Sequence, residues 1–220
     1  MAVYALSALH GYLDLYKQIK NFLQPEDKVY FLGDATDRGP QSWELAKAIY
    51  NDPQFIYLKG NHEDMLVKAT LNYFGDEWYP GEWLYDLFNN GGKETWNAMM
   101  NEGKDFVYKL KDLPKEAIYI NKNGKEIHLS HAGFTPGRTK DLLWNRKHLT
   151  DIVDNIDDNY IIVHGHTPVH YQRRDETLDR LYPEFYANGH KINIDMGTDN
   201  TKTCALLNLD TFKYYIFTIK

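Results

Sequence analysis

The sequence predicts a single layered α/β domain, and three observations carry that expectation. Short apolar runs of four to seven residues, rich in branched and aromatic side chains, alternate with helical patterns. The 220 residues suit one large domain, with no internal repeat, low-complexity run or linker long enough to separate two. Histidines and carboxylates fall just after the apolar runs, at the strand ends where such sheets gather their binding sites.

Composition narrows the field. With 43% hydrophobic and 25% charged residues the chain can bury a core and stay in solution. The formal charge of -6, from 25 basic against 31 acidic residues, argues against duplex nucleic acid as a partner, because neutralising phosphates needs a basic surface. No run of 18 apolar residues occurs, and MAVYALSALHGY lacks the basic start and apolar stretch of a signal peptide, so no membrane partner is expected. Cys204, the only cysteine, excludes an intramolecular disulfide and a cysteine-built zinc centre and points to a cytoplasmic location.

In chain order, the apolar run Ala2 to Leu6 predicts a strand. A helix follows over Tyr12 to Leu23, where Leu13, Tyr16, Ile19 and Leu23 fall three or four apart beside Lys17 and Lys20. Strands at Lys28 to Leu32 and Phe55 to Leu58 flank a helix at Ser42 to Tyr50, which carries Leu45 and Ile49 on one face. Residues 71–113 read as an inserted helical segment, with Trp78, Trp83 and Trp96 among Gly75, Gly81, Gly91 and Gly92 and helical patterns at Glu82 to Phe88 and Lys93 to Met99. Its tryptophans should pack it onto the sheet; the sharper alternative is a lid or substrate wall. Strands resume at Ile118 to Ile120, Glu126 to Ser130, Tyr160 to Val163 and Ile192 to Ile194, and a hairpin of Thr203 to Leu209 with Tyr214 to Thr218 closes the chain. The acidic run Asp151 to Asp158, with Asp154, Asp157 and Asp158, lacks the spacing of a calcium loop and reads as a solvated loop or helix face. Tyr171 to Asn188, without periodicity, reads as a surface loop.

His10, His62, His131, His164 and His166 each lie just beyond an expected strand, as do Asp34 and Asn61. Any one of these histidines alone is more often structural than a ligand; five such placements argue for one site. Imidazole, carboxylate and amide oxygen without thiolate suit Zn, Mn or Fe(II), and two adjacent ions need a bridging carboxylate. Asp34, following Gly33 in a tight turn, is the best bridge. His164 shares a strand face with His166 and is read as packing, His128 as a sheet residue, and His148, His170 and His190 as surface residues. Arg173 and Arg174 are read as solvated, the alternative being contact with an anionic substrate.

Five blocks occur in order: Leu9-His10-Gly11, Gly33-Asp34-Ala35-Thr36-Asp37-Arg38-Gly39, Gly60-Asn61-His62-Glu63, His131-Ala132-Gly133 and Gly165-His166-Thr167-Pro168. With weaker similarity at Leu142 to Arg146 and Asn193 to Gly197, the chain resembles the calcineurin-like metallophosphoesterases, and within them the bacterial and phage-type serine/threonine phosphoprotein phosphatases. That resemblance implies two facing mixed β-sheets flanked by helices and a two-metal site. It assigns Asp34 to both ions, His10 to the first, and Asn61, His131 and His166 to the second. It makes His62 the general acid oriented by Asp37, gives the phosphate to Arg38, Arg146 and Asn61, and has Glu63 support Arg38. Paired cations that neutralise phosphoryl oxygens and activate water, with planar guanidinium donors and a neutral-pH proton donor, suit hydrolysis.

The implied activity is metal-dependent phosphomonoester hydrolysis, with a phosphorylated protein or small phosphorylated molecule as substrate. The alternatives are a dinucleoside tetraphosphate hydrolase and, from another class, a non-enzymatic phosphate-binding regulatory protein. One position departs from the pattern, since Ala8 stands where the family carries an aspartate ligand of the first metal. A methyl group coordinates nothing, so the first site should be weak and turnover much reduced. Retention of every other site residue favours an introduced replacement over a lineage that has abandoned catalysis.

Overall fold

Alternation along β1 (Val3–Leu6), every residue of which is buried, separates two cores. Tyr4 and Leu6 enter a core shared with helices, while Val3 and Ala5 enter one shared with a second sheet. The computed structural model describes residues 1–138, 140–151, 157–174, 178 and 180–220.

In the first sheet β1, β2 (Lys28–Phe31) and β3 (Phe55–Tyr57) run parallel, and the hairpin of β9 (Thr203–Asn208) and β10 (Tyr214–Thr218) adds antiparallel to β1. The second sheet places β5 (Glu126–Ser130), β6 (Tyr160–His164) and β8 (Lys191–Asn193) parallel, between the antiparallel edges β4 (Glu116–Ile120) and β7 (Glu184–Tyr186). Leu32, Leu58 and Leu207 meet Ile127, Leu129, Val163 and Ile192 between the sheets. This is the sandwich of two mixed sheets that the motif blocks imply.

Six helices cover the first sheet: α1 (Leu13–Phe22), α2 (Ser42–Asn51), α3 (Asn61–Phe74), α4 (Trp83–Asn89), α5 (Lys93–Glu102) and α6 (Asp105–Lys111). Each sends apolar side chains into the helix-side core, among them Ile19, Trp43, Leu66, Leu87, Met99 and Leu110. The short α7 (Val169–Arg173) and α8 (Thr198–Thr201) follow β6 and β8. Among the described residues no helix is long and apolar enough to cross a membrane.

The structure departs from the sequence reading in several places. α3 has no apolar stripe to read, because ten of its residues, from Asn61 to Leu71, are buried on several sides. Tyr171 to Asn188 is not loop throughout: it contains the end of α7 and the three-residue edge strand β7, too short to show alternation. Only Trp96 of the three tryptophans in 71–113 is buried; Trp83 lies under the Lys68 ammonium, 4.0 Å from its ring centre, and Trp78 is 79% exposed. Of the acidic run, Asp157 and Asp158 are exposed, and Asp154 lies outside the described residues.

Candidate metal centre

Loops leaving β1, β2, β3, β5, β6 and β8 meet at one edge of the sandwich. The first two are laced together, with Ala8 N–H donating to Gly33 O (3.1 Å), His10 N–H to Asp34 O (2.9 Å) and Gly11 N–H to Ala35 O (2.8 Å). α3 begins against this turn, where a Cβ on Gly60 would fall 2.1 Å from Asp34 Oδ1, so only glycine permits the approach. Ala8, His10, Asp34, Asp37, Arg38 and His166 all have φ between 41° and 70°, a concentration of left-handed backbone that the surrounding hydrogen bonds must hold.

Glu63 is the chief holder, which corrects its expected role beside Arg38. Its buried carboxylate accepts N–H groups from Asp34 (2.8 Å), Ala35 (2.9 Å), Thr36 (3.2 Å) and Gly60 (2.9 Å), and hydroxyls from Thr36 (3.2 Å) and Tyr57 (2.9 Å). A carboxylate is the side chain with enough lone pairs to satisfy so many donors at once.

Asp34, Asn61, His131 and His166 converge. His131 Nδ1–H donates to Leu32 O (2.7 Å), turning Nε2 to within 2.8 Å of Asn61 Oδ1 and 3.3 Å of Asp34 Oδ2. His166 Nδ1 lies 3.0 Å from the same Asn61 oxygen. Ligand atoms bonded at about 2.1 Å to one ion sit about 3 Å apart, and these three separations of 2.8, 3.0 and 3.3 Å are of that size. Burial pushes the His166 imidazole down to about 2, with His131 beside it, which keeps one ring nitrogen free to ligate. Burial opposes the Asp34 charge, yet His131, His62 and His10 around it hold its carboxyl well below the usual range.

His10 forms the other side of Asp34. Its Nδ1–H donates to Thr36 O (3.0 Å), and burial, then His62 and Arg38, keep it neutral, leaving Nε2 as an acceptor 3.6 Å from Asp34 Oδ2. His10, Asp34 and His62 each offer a ligand atom, all within 4.8 Å of one another. In this second cluster buried Ala8 offers no donor, and Arg38 already donates to His10 Nε2 and to His62 Nε2, both at 3.0 Å. His62 Nδ1 meets Asp37 Oδ2 at 2.8 Å.

The centre floors a cleft of about 660 Å³ whose walls include Arg146, Trp144, Tyr171 and Asn90. Arg146 reaches Thr167 Oγ1 through Nε (3.3 Å). The α4–α5 turn supports the Asp37–Arg38 loop, with Thr95 Oγ1 accepting from Asp37 N–H (3.1 Å) and Gly91 O from Arg38 N–H (3.0 Å). Asp195, unassigned from the sequence although it lies in a block of weaker similarity, is buried in the cleft wall; burial pushes its carboxyl up to about 6, against the Gly197 N–H bond (2.8 Å).

Other expected residues lie elsewhere. His164 is the last residue of β6 rather than beyond it, and its Nε2 meets Tyr186 OH at 2.6 Å. His148 and His170 are buried, not superficial, and half-buried His190 donates to Tyr160 O (2.9 Å). Arg173 pairs with Glu184 and stacks 4.0 Å over the Tyr182 ring, so it is not left to solvent.

Residues 1–194 match the calcineurin-like phosphoesterases. Serine/threonine-protein phosphatase 2 of Escherichia coli (strain K12) is 28% identical over 140 residues, covering 61% of this chain and 59% of that protein. The symmetrical bis(5'-nucleosyl)-tetraphosphatase of Pseudomonas fluorescens (strain SBW25) is 26% identical over 140 residues, covering 62% and 44%. The chain thus matches less than two thirds of the length of these curated relatives. A crystal structure provisionally assigned as a diadenosine tetraphosphatase superposes with a TM-score of 0.65 at 15% identity, covering 98% of this chain and 92% of that one, a likeness of fold. A match over most of its length, on top of this sandwich and its strand-end cluster, makes the chain a member of the calcineurin-like phosphoesterase family.

Proposed function

We propose that the protein is a metal-dependent phosphomonoester hydrolase acting on phosphoserine, phosphothreonine or phosphotyrosine in proteins, with turnover impaired by Ala8. The observation that carries this reading is the meeting of His131 Nε2 and His166 Nδ1 at Asn61 Oδ1, with Asp34 Oδ2 against His131 Nε2 and the His62–Asp37 pair nearby. The family uses divalent cations, which here would neutralise phosphoryl oxygens and activate water. Asp34, Asn61, His131 and His166 would hold one ion, and His10 with Asp34 a second, weaker one, with Mn, Fe and Zn all suited to the donor set.

The chain's own groups divide the remaining work. Asp37 takes the His62 Nδ1–H and fixes the tilt of the ring; Nε2 accepts from Arg38 as the site stands, so it would protonate the departing oxygen only as the imidazolium, with Arg38 turned to the phosphate. Arg146 and Asn61 grip the phosphate; Arg38, turned onto His10 and His62, would swing its planar donors to the same oxygens. Residues 71–113, as an insertion in a single domain, would wall the cleft through Asn90. Cys204, buried and unpaired, agrees with a cytoplasmic setting.

Position 8 supports aspartate as the residue this backbone suits. Its φ of 45° lies where Asp is tolerated better than Ala. Ala8→Asp should raise bound metal, measured by elemental analysis, and raise the hydrolytic rate about a hundredfold or more on a phosphopeptide. Equal metal content and equal rates in both proteins would refute the reading. The tetraphosphatase relative favours a second substrate, so the Ala8→Asp protein should be compared on a phosphopeptide, a dinucleoside tetraphosphate and an aryl phosphate. A preference for the tetraphosphate would replace the protein substrate. Tight phosphate binding without hydrolysis by any form would favour the regulatory reading.

A further inference from the structure

The outer face of the second sheet carries a buried cation that the hydrolytic reading leaves unused. Lys191, the first residue of β8, is fully buried. Its ammonium donates to the His148 carbonyl (2.8 Å) and to Thr135 Oγ1 (3.2 Å), neutral oxygens on two parts of one segment. Burying an ammonium without a bonded carboxylate costs several kcal/mol, roughly, so the fold keeps it against its own stability. Burial accordingly pushes the amine down to about 8, although the Asp151 charge acts the other way.

His148 follows Arg146, which lines the cleft, by two residues. His148 sits in a 3-10 turn (Lys147–Leu149) that begins at the residue after Arg146. The same turn is held from the side by its imidazole: Nδ1 lies 3.3 Å from Tyr186 OH, and the ring packs edge-on, 4.6 Å from that of His164. Tyr186 is the cross-strand neighbour of Lys191 in the β7–β8 pair, and its hydroxyl also meets His164 Nε2 at 2.6 Å. Contact is close enough that a Cβ on Gly133 would fall 2.8 Å from His148 and 2.9 Å from His164. Among the described residues the Arg146 side chain makes one long hydrogen bond, 3.3 Å from Nε to Thr167 Oγ1, so its place depends on its backbone.

We infer that Lys191 is a positioning residue for Arg146, fixing the phosphate-binding arginine by tying the turn behind it to the sheet through the His148 carbonyl. The inference rests on the reading of Arg146 as a phosphate ligand. A neutral donor could satisfy the carbonyl, but the charge strengthens both bonds and holds the segment at two points.

A double-mutant cycle separates positioning from mere packing, with inorganic phosphate as the probe, titrated into the manganese-loaded chain and followed by calorimetry. Arg146→Ala should weaken phosphate binding about tenfold and Lys191→Met about three- to tenfold. The double variant should bind no more weakly than Arg146→Ala alone, because Lys191 would have nothing left to position. If Lys191→Met fails to fold, Lys191→Gln, which keeps a donor without the charge, is read in the same cycle by the same criteria. Losses that add in the double variant, or unchanged affinity in the lysine variant while Arg146→Ala weakens binding, would overturn the inference and spare the arginine reading. Unchanged affinity in Arg146→Ala would overturn both.

Discussion

Glu63 shows how one side chain sets the geometry of others. Asp34, which lies between His10 and His131, has a left-handed backbone whose own N–H and the next two end on the Glu63 carboxylate. Glu63→Gln keeps the shape but turns an NH₂ toward backbone donors whichever way the amide is placed. It should cost about 3 kcal/mol of unfolding free energy, read from urea denaturation, and loosen metal binding in parallel. A loss under about 1 kcal/mol would show that these bonds do not hold the turn. The residue types of the centre were legible because ligand chemistry is intrinsic to a side chain. Which partner Glu63 takes was not, since Arg38 and the 34–36 backbone are both near it in motif order and only the folded turn chooses.

Among elements, α3 and the α4–α5 turn carry the most information about the centre. α3 delivers Asn61 and His62 from its first turn, and Asp34 Oδ1 accepts the His62 N–H (3.1 Å), so helix start and metal cluster form together. Amphipathic periodicity finds helices with one wet face, as with α1 and α2, and misses one buried on several sides. The start of α5 acts on the Asp37 backbone through a side chain: Thr95→Val removes the hydroxyl that accepts the buried Asp37 N–H without changing side-chain volume much. That variant should lose about 1–3 kcal/mol of stability. In the Ala8→Asp background it should also lower kcat more than it raises KM, if Asp37 orients His62 as the proposed proton donor. A change in KM alone would assign the turn to substrate binding instead.

Across the whole molecule, buried neutral histidines set an acid limit. Burial pushes His148 down to about 4, and His164, with His148 beside it, well below its ordinary value. Unfolded, both titrate near 6.5, so between that pH and about 4 the unfolded chain binds more protons and stability falls as pH falls. Each such histidine contributes a slope of about 1.4 kcal/mol per pH unit in that window. Urea midpoints at pH 7, 6, 5 and 4 should therefore decline steadily; a flat series from 6.5 to 4 would contradict the burial of these rings.

Most strand positions, β7 excepted, and the candidate metal-ligating side chains could be named from the sequence alone, because alternation, apolar runs and ligand chemistry are local properties. Val3 to Leu6, Glu126 to Ser130 and the terminal hairpin stand within a residue or two of their expected ends, and His10, Asp34, Asn61, His131 and His166 do lie at one sheet edge. Only the tertiary structure decided that Arg38 turns onto two imidazoles, that Glu63 serves backbone rather than guanidinium, and that His148 and Lys191 are buried behind Arg146. Those outcomes depend on distances between segments far apart in the chain, where burial and competing partners, not the residue's own character, settle which hydrogen bond is made.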